Sequence, residues 1–249
     1  MTGNPQVTDM ATWQVQRDAL LLREKAHTRE GDAIAAARRR MPMVEVDGTT
    51  QVVGANGPVP FLDLFEGRDE LIVYQHMWWD GAPHQGQCEG CTFTAWGLKD
   101  AVYLNARGVS LAFVTAGAWE EVEPFVAFMG YDLPWYSVRD LPAPFGEDMG
   151  ELRVFLRDGD RVFFTYSMTG RGNECTNPFF ALLDLTPYGR GEAWQDNPDG
   201  WPEGRDPAWF WRLDASGDPT WEGTGRPAPQ WTRPGVTSET TLGRERGCH

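Results

Sequence analysis

Nothing in these 249 residues approaches the run of about 18 apolar residues that a membrane-crossing helix needs, so no transmembrane span is expected. Basic charge is scarce. Lys and Arg number 22 against 36 Asp and Glu, a net charge of −14, which argues against binding nucleic acid through a basic surface or docking on an anionic membrane. Cysteine is scarce too, and four in a chain this long do not make a disulfide scaffold. There is no GxSxG elbow, no Walker-type phosphate loop, no HExxH and no Rossmann glycine fingerprint after a strand. Met1-Thr2-Gly3-Asn4-Pro5 lacks a basic start followed by an apolar stretch, so no secretory signal is expected and the expected compartment is the cytoplasm. There, stable structural disulfides are uncommon, and closely paired cysteines more often mean redox chemistry or metal.

What is present is a globular composition, 41% hydrophobic and 23% charged, in three regions. Residues 9–42 read as a helical arm of two helices. Thr12, Val15, Ala19 and Leu22 recur at helical spacing, and a second helix from Glu30 ends in Arg38-Arg39-Arg40 before Pro42. That triplet reads either as an anion contact or as a basic, dipole-matched helix end. Residues 43–190 alternate strand and helix. Val44–Val46 and Gln51–Val53, with Asn56-Gly57 as a turn, form a short β entry, followed by a buried run, 71–78. A helix from Phe93 to Arg107 is closed by Gly108, a strand covers 109–114, and a helix covers Trp119 to Met129. Strands 152–157 and 161–166 flank Asp158-Gly159-Asp160, a hairpin signal, and Asn177 to Leu185 is a final helix. The order β-α-β-α-β-β-α is the thioredoxin topology of an α/β fold.

Residues 191–249 change character. Six of the 12 tryptophans (Trp194, Trp201, Trp209, Trp211, Trp221 and Trp231) lie there among prolines and glycines. The region reads as an extension that wraps the domain, or as an aromatic ligand wall. Beyond Thr232 the chain reads as disordered, which leaves Cys248 and His249 outside any site.

The chemistry concentrates at Cys88-Glu89-Gly90-Cys91, which follows an apolar strand and a Gly/Pro loop and opens a helix. A thiolate attacks a disulfide sulfur, and the unpaired N–H groups and dipole of a helix N-terminus stabilise that thiolate. A second cysteine one turn on resolves the mixed disulfide. Read this way, Cys88 is an exposed attacking thiolate and Cys91 a buried resolver. Two other readings stay open, a metal site and purely structural cysteines. Zinc needs three or four ligands, and with Cys88 and Cys91 the candidates are His84, His76 and Cys175.

At this point the chain resembles a bacterial family of thioredoxin-like proteins regarded as dithiol-disulfide oxidoreductases and long filed as a domain of unknown function. The stretches that carry the resemblance are LLLREKAHTREGDAIAAARRRMPMV, FLDLFEGRDELIVYQHMWWD, CEGCTF, VFLRDGDRVFFTYS and ALLDLTPYGRGE, with DPAWFWRLD weaker. The resemblance spans about residues 10 to 214 and implies a thioredoxin-like core with a helical N-terminal arm, with Cys88 and Cys91 at the family's paired-cysteine position. The leading reading is thiol-disulfide exchange on a thiol or disulfide substrate, protein or small molecule, with no bound cofactor; the alternative is a non-redox scaffold of the same fold that binds a small molecule or a metal, zinc through Cys88, Cys91 and His84 or Cys175. Two features depart from thioredoxins. The strand from Leu152 is preceded by Met149-Gly150-Glu151 where a cis-proline usually stands, Pro142 and Pro144 coming too early. Glu89 places a negative charge between the cysteines, which opposes thiolate formation.

The remaining candidates each carry two readings. His84 is a proton shuttle beside Cys88 or a polar loop residue, and His76 a ligand or a satisfied core histidine. Cys175 is a third redox or metal group or a free buried cysteine. Trp78 and Trp79 shield the disulfide or simply pack the strand end. Asp80 is a base for Cys91 or an exposed loop acid. The peroxide-reducing pattern, proline and threonine ahead of a lone reactive cysteine, is not met: Pro83 is present, but Thr92 follows the cysteines.

Overall fold

The computed structural model describes residues 3–147 and 150–204. The chain begins with one helix, α1 (Met10–Arg38), where two were expected. Asp9 caps it, its carboxylate accepting the Thr12 N–H at 2.8 Å and the Thr12 hydroxyl at 2.9 Å. Gly31 does not break it, because Arg29 and Glu30 before it and the alanine-rich stretch from Ala33 to Ala37 after it are strong helix formers. No α1 residue is buried, so the arm stands apart from the core. Arg40 Nη1 donates to the Ala36 carbonyl at 2.6 Å, and the Arg38 guanidinium lies 4.9 Å from the Tyr166 ring centre. The basic triplet thus finishes the helix, the dipole-matched reading.

Eight strands follow: β1 (Val44–Val46), β2 (Gln51–Gly54), β3 (Gly57–Pro60), β4 (Glu70–His76), β5 (Val109–Thr115), β6 (Trp135–Ser137), β7 (Glu151–Asp158) and β8 (Arg161–Thr169). Their order is β1-β8-β7-β4-β5-β6-β2-β3. β4, β5 and β6 run parallel, and β7 and β8 form an antiparallel hairpin beside β4. The connections carry α2 (Glu89–Gly97), α3 (Val102–Asn105) and α4 (Trp119–Met129), and α5 (Pro178–Leu183) follows β8. This is a mixed, thioredoxin-like α/β sheet. β1 is at one end of the order and β2 is next to last at the other, yet they are joined by residues 47–50 alone. The five Cα steps from Val46 to Gln51 span at most about 18 Å, so the sheet curls until its ends come close.

The curl separates two apolar clusters. Val52, Phe61, Phe65, Leu71, Val73, Val114 and Phe155 fill the first. Tyr74, Trp78, Cys88, Cys91, Phe113, Phe125, Trp135 and Leu152 fill the second, beneath α2 and α4. Strand alternation explains the division, since Leu71 and Val73 point one way and Tyr74 the other. Two expectations shift. The helix expected over 93–107 is two helices, opening at Glu89 and interrupted at Leu98 to Ala101. The three-residue strand β6 was not anticipated. Trp119–Met129 forms a helix with the expected limits, and Gly108 takes the left-handed conformation (φ +81°) after α3. No described helix is long and apolar enough to cross a membrane. Trp209, Trp211, Trp221, Trp231, Cys248 and His249 lie outside the described residues.

Candidate functional site

β4 ends at His76, and residues 77–87 loop across its end before α2 begins. Gln87, fully buried, braces that loop. Its side-chain oxygen accepts the Trp79 N–H at 3.1 Å, and its amide donates to the carbonyls of Trp79 and Ala82 at 3.0 and 3.3 Å. Cys88 follows as the N-cap of α2, its sulfur accepting the Cys91 N–H at 3.4 Å. A cysteine sulfur therefore sits where a helix presents its unpaired donors and positive dipole end. Cys91 lies one turn on, its sulfur accepting the Met77 N–H at 3.4 Å. Met77 Sδ is 4.0 Å from the Cys88 sulfur.

The expectation of an exposed Cys88 is corrected: Cys88 is 1% and Cys91 2% exposed. Both sulfurs belong to the second cluster, under aromatic rings that the local sequence does not announce. Glu89 is buried as well, in the first turn of α2, where the helix dipole favours a carboxylate.

His76 and Thr92 tie strand to helix beside the pair. His76 Nδ1 is 2.7 Å from the Met77 carbonyl, which can only accept, so Nδ1 carries the proton. Nε2 then lies 3.2 Å from the Thr92 hydroxyl, which is itself 2.7 Å from the Cys88 carbonyl. Full burial among Trp78, Phe125 and Trp135 pushes the His76 pKa down to about 4, so the ring is neutral. His76 is thus a neutral core histidine, its Nε2 competing with the Cys88 carbonyl for the single Thr92 hydroxyl proton.

The other candidates separate. Trp78 is the buried tryptophan, its indole N–H donating to the Glu121 carboxylate at 3.2 Å, and Gly117 leaves room for its ring. Trp79 is only partly buried and lines a surface cleft of about 430 Å³ with Asp80 and Arg139. Asp80 is held by Arg139 through two hydrogen bonds of 3.0 and 2.6 Å, and that guanidinium keeps its carboxyl below the usual range. His84 packs its ring 5.0 Å from Phe128 and 5.9 Å from Phe125, and partial burial lowers its pKa. Cys175 is exposed in the turn 170–176 rather than buried over the sheet. Among the described residues no three His, Cys, Asp or Glu side chains gather as a metal site requires, so His84 and Cys175 do not join the cysteine pair.

Tyr74, not singled out from the sequence, and Gly150, noted there only for the missing proline, complete the surroundings. Tyr74, on the same strand face as His76, is buried in the same cluster as Cys91, and burial, first, and then the neighbouring cysteines raise its hydroxyl's pKa well above the ordinary range. Two-residue alternation back from His76 was the signal that pointed to it. Gly150, just before β7, approaches from the other side: a Cβ built on it would lie 3.3 Å from both Cys91 Sγ and Tyr74 Oη. The described cis peptide, Ala143–Pro144, lies earlier in the chain.

Strand order, a crossover helix after β4 and two cysteines at the start of α2 define a thioredoxin-like α/β protein with a paired-cysteine helix start. Over residues 2–216 the chain matches DUF899, a bacterial protein family of unknown function, and it belongs to that family. No curated protein matches it. Among solved structures it is similar to a thioredoxin from Wuchereria bancrofti, at 17% identity over 53% of this chain and 89% of that one, TM-score 0.35. Similarity extends to peroxiredoxin Q of Xanthomonas campestris, at 12% identity over 59% and 98%, TM-score 0.39. A secreted disulfide oxidoreductase of Mycobacterium tuberculosis is 11% identical over 54% and 96%, TM-score 0.31. Likenesses this distant carry no argument about activity, and the fold rests on the sheet's own connectivity.

Proposed function

We propose that the protein is a thiol-disulfide oxidoreductase acting through Cys88 and Cys91, with a thiol or disulfide substrate and no bound cofactor. The carrying observation is the Cys88 sulfur at the N-cap of α2, accepting the Cys91 N–H. The Cys88 thiolate attacks a substrate disulfide, forming a mixed disulfide and expelling one substrate thiolate. The Cys91 thiolate then attacks the Cys88 sulfur. The Cys88–Cys91 disulfide forms, the second substrate sulfur leaves as thiolate, and two electrons have passed to the substrate. An external dithiol resets the pair. Burial of both sulfurs favours a small thiol or disulfide over a folded protein, whose disulfide reaches them only if the 77–87 loop opens. Cytoplasmic location fits such a cycle.

The same burial favours a second reading, in which the cysteines are packing residues of a binding scaffold. Thiol labelling across glutathione and dithiothreitol buffers, with metal content measured on the same sample, decides between them. Exchange predicts a reversible two-electron transition within roughly −120 to −270 mV, the range of known oxidoreductases. It also predicts that Cys88→Ser abolishes turnover and Cys91→Ser traps mixed disulfides. Thiols that never pair, or that carry stoichiometric metal, rule the exchange reading out.

A further inference from the structure

We propose that Cys88, Cys91 and Met77 form a site for a soft monovalent metal ion, copper(I), that is competent only while the two cysteines are reduced. The site goes beyond the exchange reading and does not depend on it. Neither cysteine is in a disulfide. The Met77 thioether sulfur is 4.0 Å from the Cys88 sulfur. A metal–thiolate bond is about 2.3 Å, so three sulfurs around one trigonal ion lie about 4 Å apart. This pair already stands at that spacing. Cys91 comes to the same place from its own turn of α2. Its sulfur accepts the Met77 N–H at 3.4 Å. A Cβ built on Gly150 would lie 3.3 Å from that sulfur and 3.7 Å from the Met77 sulfur. Both sulfurs therefore border the spot that Gly150 leaves without a side chain.

The donor set decides the ion. Thiolates and thioethers are soft ligands, the kind that selects copper(I). Among the described residues no His, Asp, Glu or further Cys side chain joins the two cysteines, and the His76 nitrogens face the Met77 carbonyl and the Thr92 hydroxyl. Zinc draws three or four ligands from Cys, His and carboxylates, so this all-sulfur trio does not suit it. Two thiolates and one copper(I) leave a single negative charge in a buried place, and the fold meets it. Cys88 accepts the Cys91 N–H at the positive end of α2, and Cys91 accepts the Met77 N–H. Both cysteines are buried and Met77 is partly exposed, so the thioether is the side from which the ion arrives. On loading, two thiol protons pass to solvent and one copper(I) takes their place, with no change of oxidation state. A disulfide between Cys88 and Cys91 removes both thiolate ligands. A substrate disulfide that takes two electrons from the pair therefore leaves as two thiolates and releases the copper(I) unchanged.

The test is anaerobic competition for copper(I) between the reduced full-length protein, freed of other thiols, and bicinchoninate, whose copper(I) complex is read by its colour. Reduced wild type should withdraw one equivalent, and Cys88→Ser far less. Met77→Leu, close in volume, should weaken binding by more than the roughly tenfold that loss of an outer-shell partner costs. Met129→Leu, which removes a methionine of the same cluster at the end of α4, should bind as wild type does. X-ray absorption on the loaded wild type should show three sulfur neighbours. Reduced wild type that withdraws no copper(I) overturns the site, and so does Cys88→Ser or Met77→Leu that binds as tightly as wild type. If Met77→Leu does not fold, a wild-type spectrum with only two sulfurs overturns the role of Met77 instead. Zinc held as tightly as copper(I) overturns the choice of ion. These outcomes leave the exchange reading standing. A wild-type pair that takes up copper(I) yet never oxidises brings that reading down and supports the site, without its release by oxidation.

Discussion

Acidification between pH 7 and 5 is expected to weaken the fold chiefly through one side chain. His76 is wholly buried, and its pKa falls from the ordinary 6.5 to about 4 because no water reaches the ring. Above pH 6.5 the imidazole is neutral in both folded and unfolded chains, and stability is at its full value. Below 6.5 the unfolded chain takes up a proton that the folded chain refuses, so stability falls, and the loss is complete only below about pH 4. At about 1.4 kcal/mol per pH unit the gap corresponds to about 3 kcal/mol in all, with about 2 kcal/mol already lost by pH 5. Most domains have only about 5–15 kcal/mol in total, so the effect is large.

The assay is urea unfolding at half-unit pH steps from 7.5 to 5, on wild type and on His76→Asn, which keeps a donor for the Met77 carbonyl but cannot titrate. His84 is also lowered by burial and gives a smaller loss of the same sign, which both proteins share. The hydrogen-bonded carboxylates of Asp9, Glu45, Asp47 and Asp80 are lowered below ordinary values of 3.8 to 4.5, and their contribution is lost below the measured range. The quantity of interest is therefore the difference in slope between the proteins, whatever the absolute cost of the substitution. Wild type should lose about 2 kcal/mol more than the variant between pH 7 and 5. Parallel curves would refute the neutral, buried imidazole and with it the arrangement of Nδ1 on the Met77 carbonyl.

Glu121 accepts both the Trp78 indole and the Gly81 N–H, each at 3.2 Å, so Glu121→Ala should loosen the loop before Cys88. Alkylation of Cys88 and Cys91 should then speed up several-fold, with about 1–3 kcal/mol lost in urea unfolding. Asp80→Asn should leave exchange rates unchanged, because its carboxylate is engaged by Arg139 at the surface, and a marked slowing would show that Asp80 serves the cysteines after all. Gly150→Ala puts a methyl 3.3 Å from both the Cys91 sulfur and the Tyr74 hydroxyl. It should cost about 1–3 kcal/mol and alter the redox equilibrium measured in glutathione, and an unchanged equilibrium would mean that the two groups shift freely.

Strong local signals carried over almost unchanged from sequence to structure. Trp119–Met129 has acids in its first turn and a left-handed Gly130 after its end, and the β7–β8 hairpin turns at Asp158 to Asp160, as its Asp-Gly pair indicates. What did not carry over depends on distant partners or on very short elements. β6 has three residues, too few for alternation to register, and exists because Phe113 to Thr115 pair with it. Likewise α2 stops at Gly97, where a Cβ would come 2.9 Å from the Thr176 carbonyl, contributed from almost eighty residues away.

The site divides along the same line. The place of Cys88 at a helix start could be read from the strand, loop and CxxC alone, but the burial of its sulfur could not. The cluster that encloses it draws on Trp78 nearby and on Trp135 and Leu152 far along the chain. The missing proline before β7 reads from sequence as a departure from thioredoxins, and the structure attaches a consequence to it. Tyr74 and Cys91 pack in one cluster, and the chain passing their polar ends comes so close that only a residue without a side chain avoids pressing on them, as glycine does. Tyr74 and Gly150 are thus two halves of one steric arrangement, since a Cβ at Gly150 would press on both the Cys91 sulfur and the Tyr74 hydroxyl.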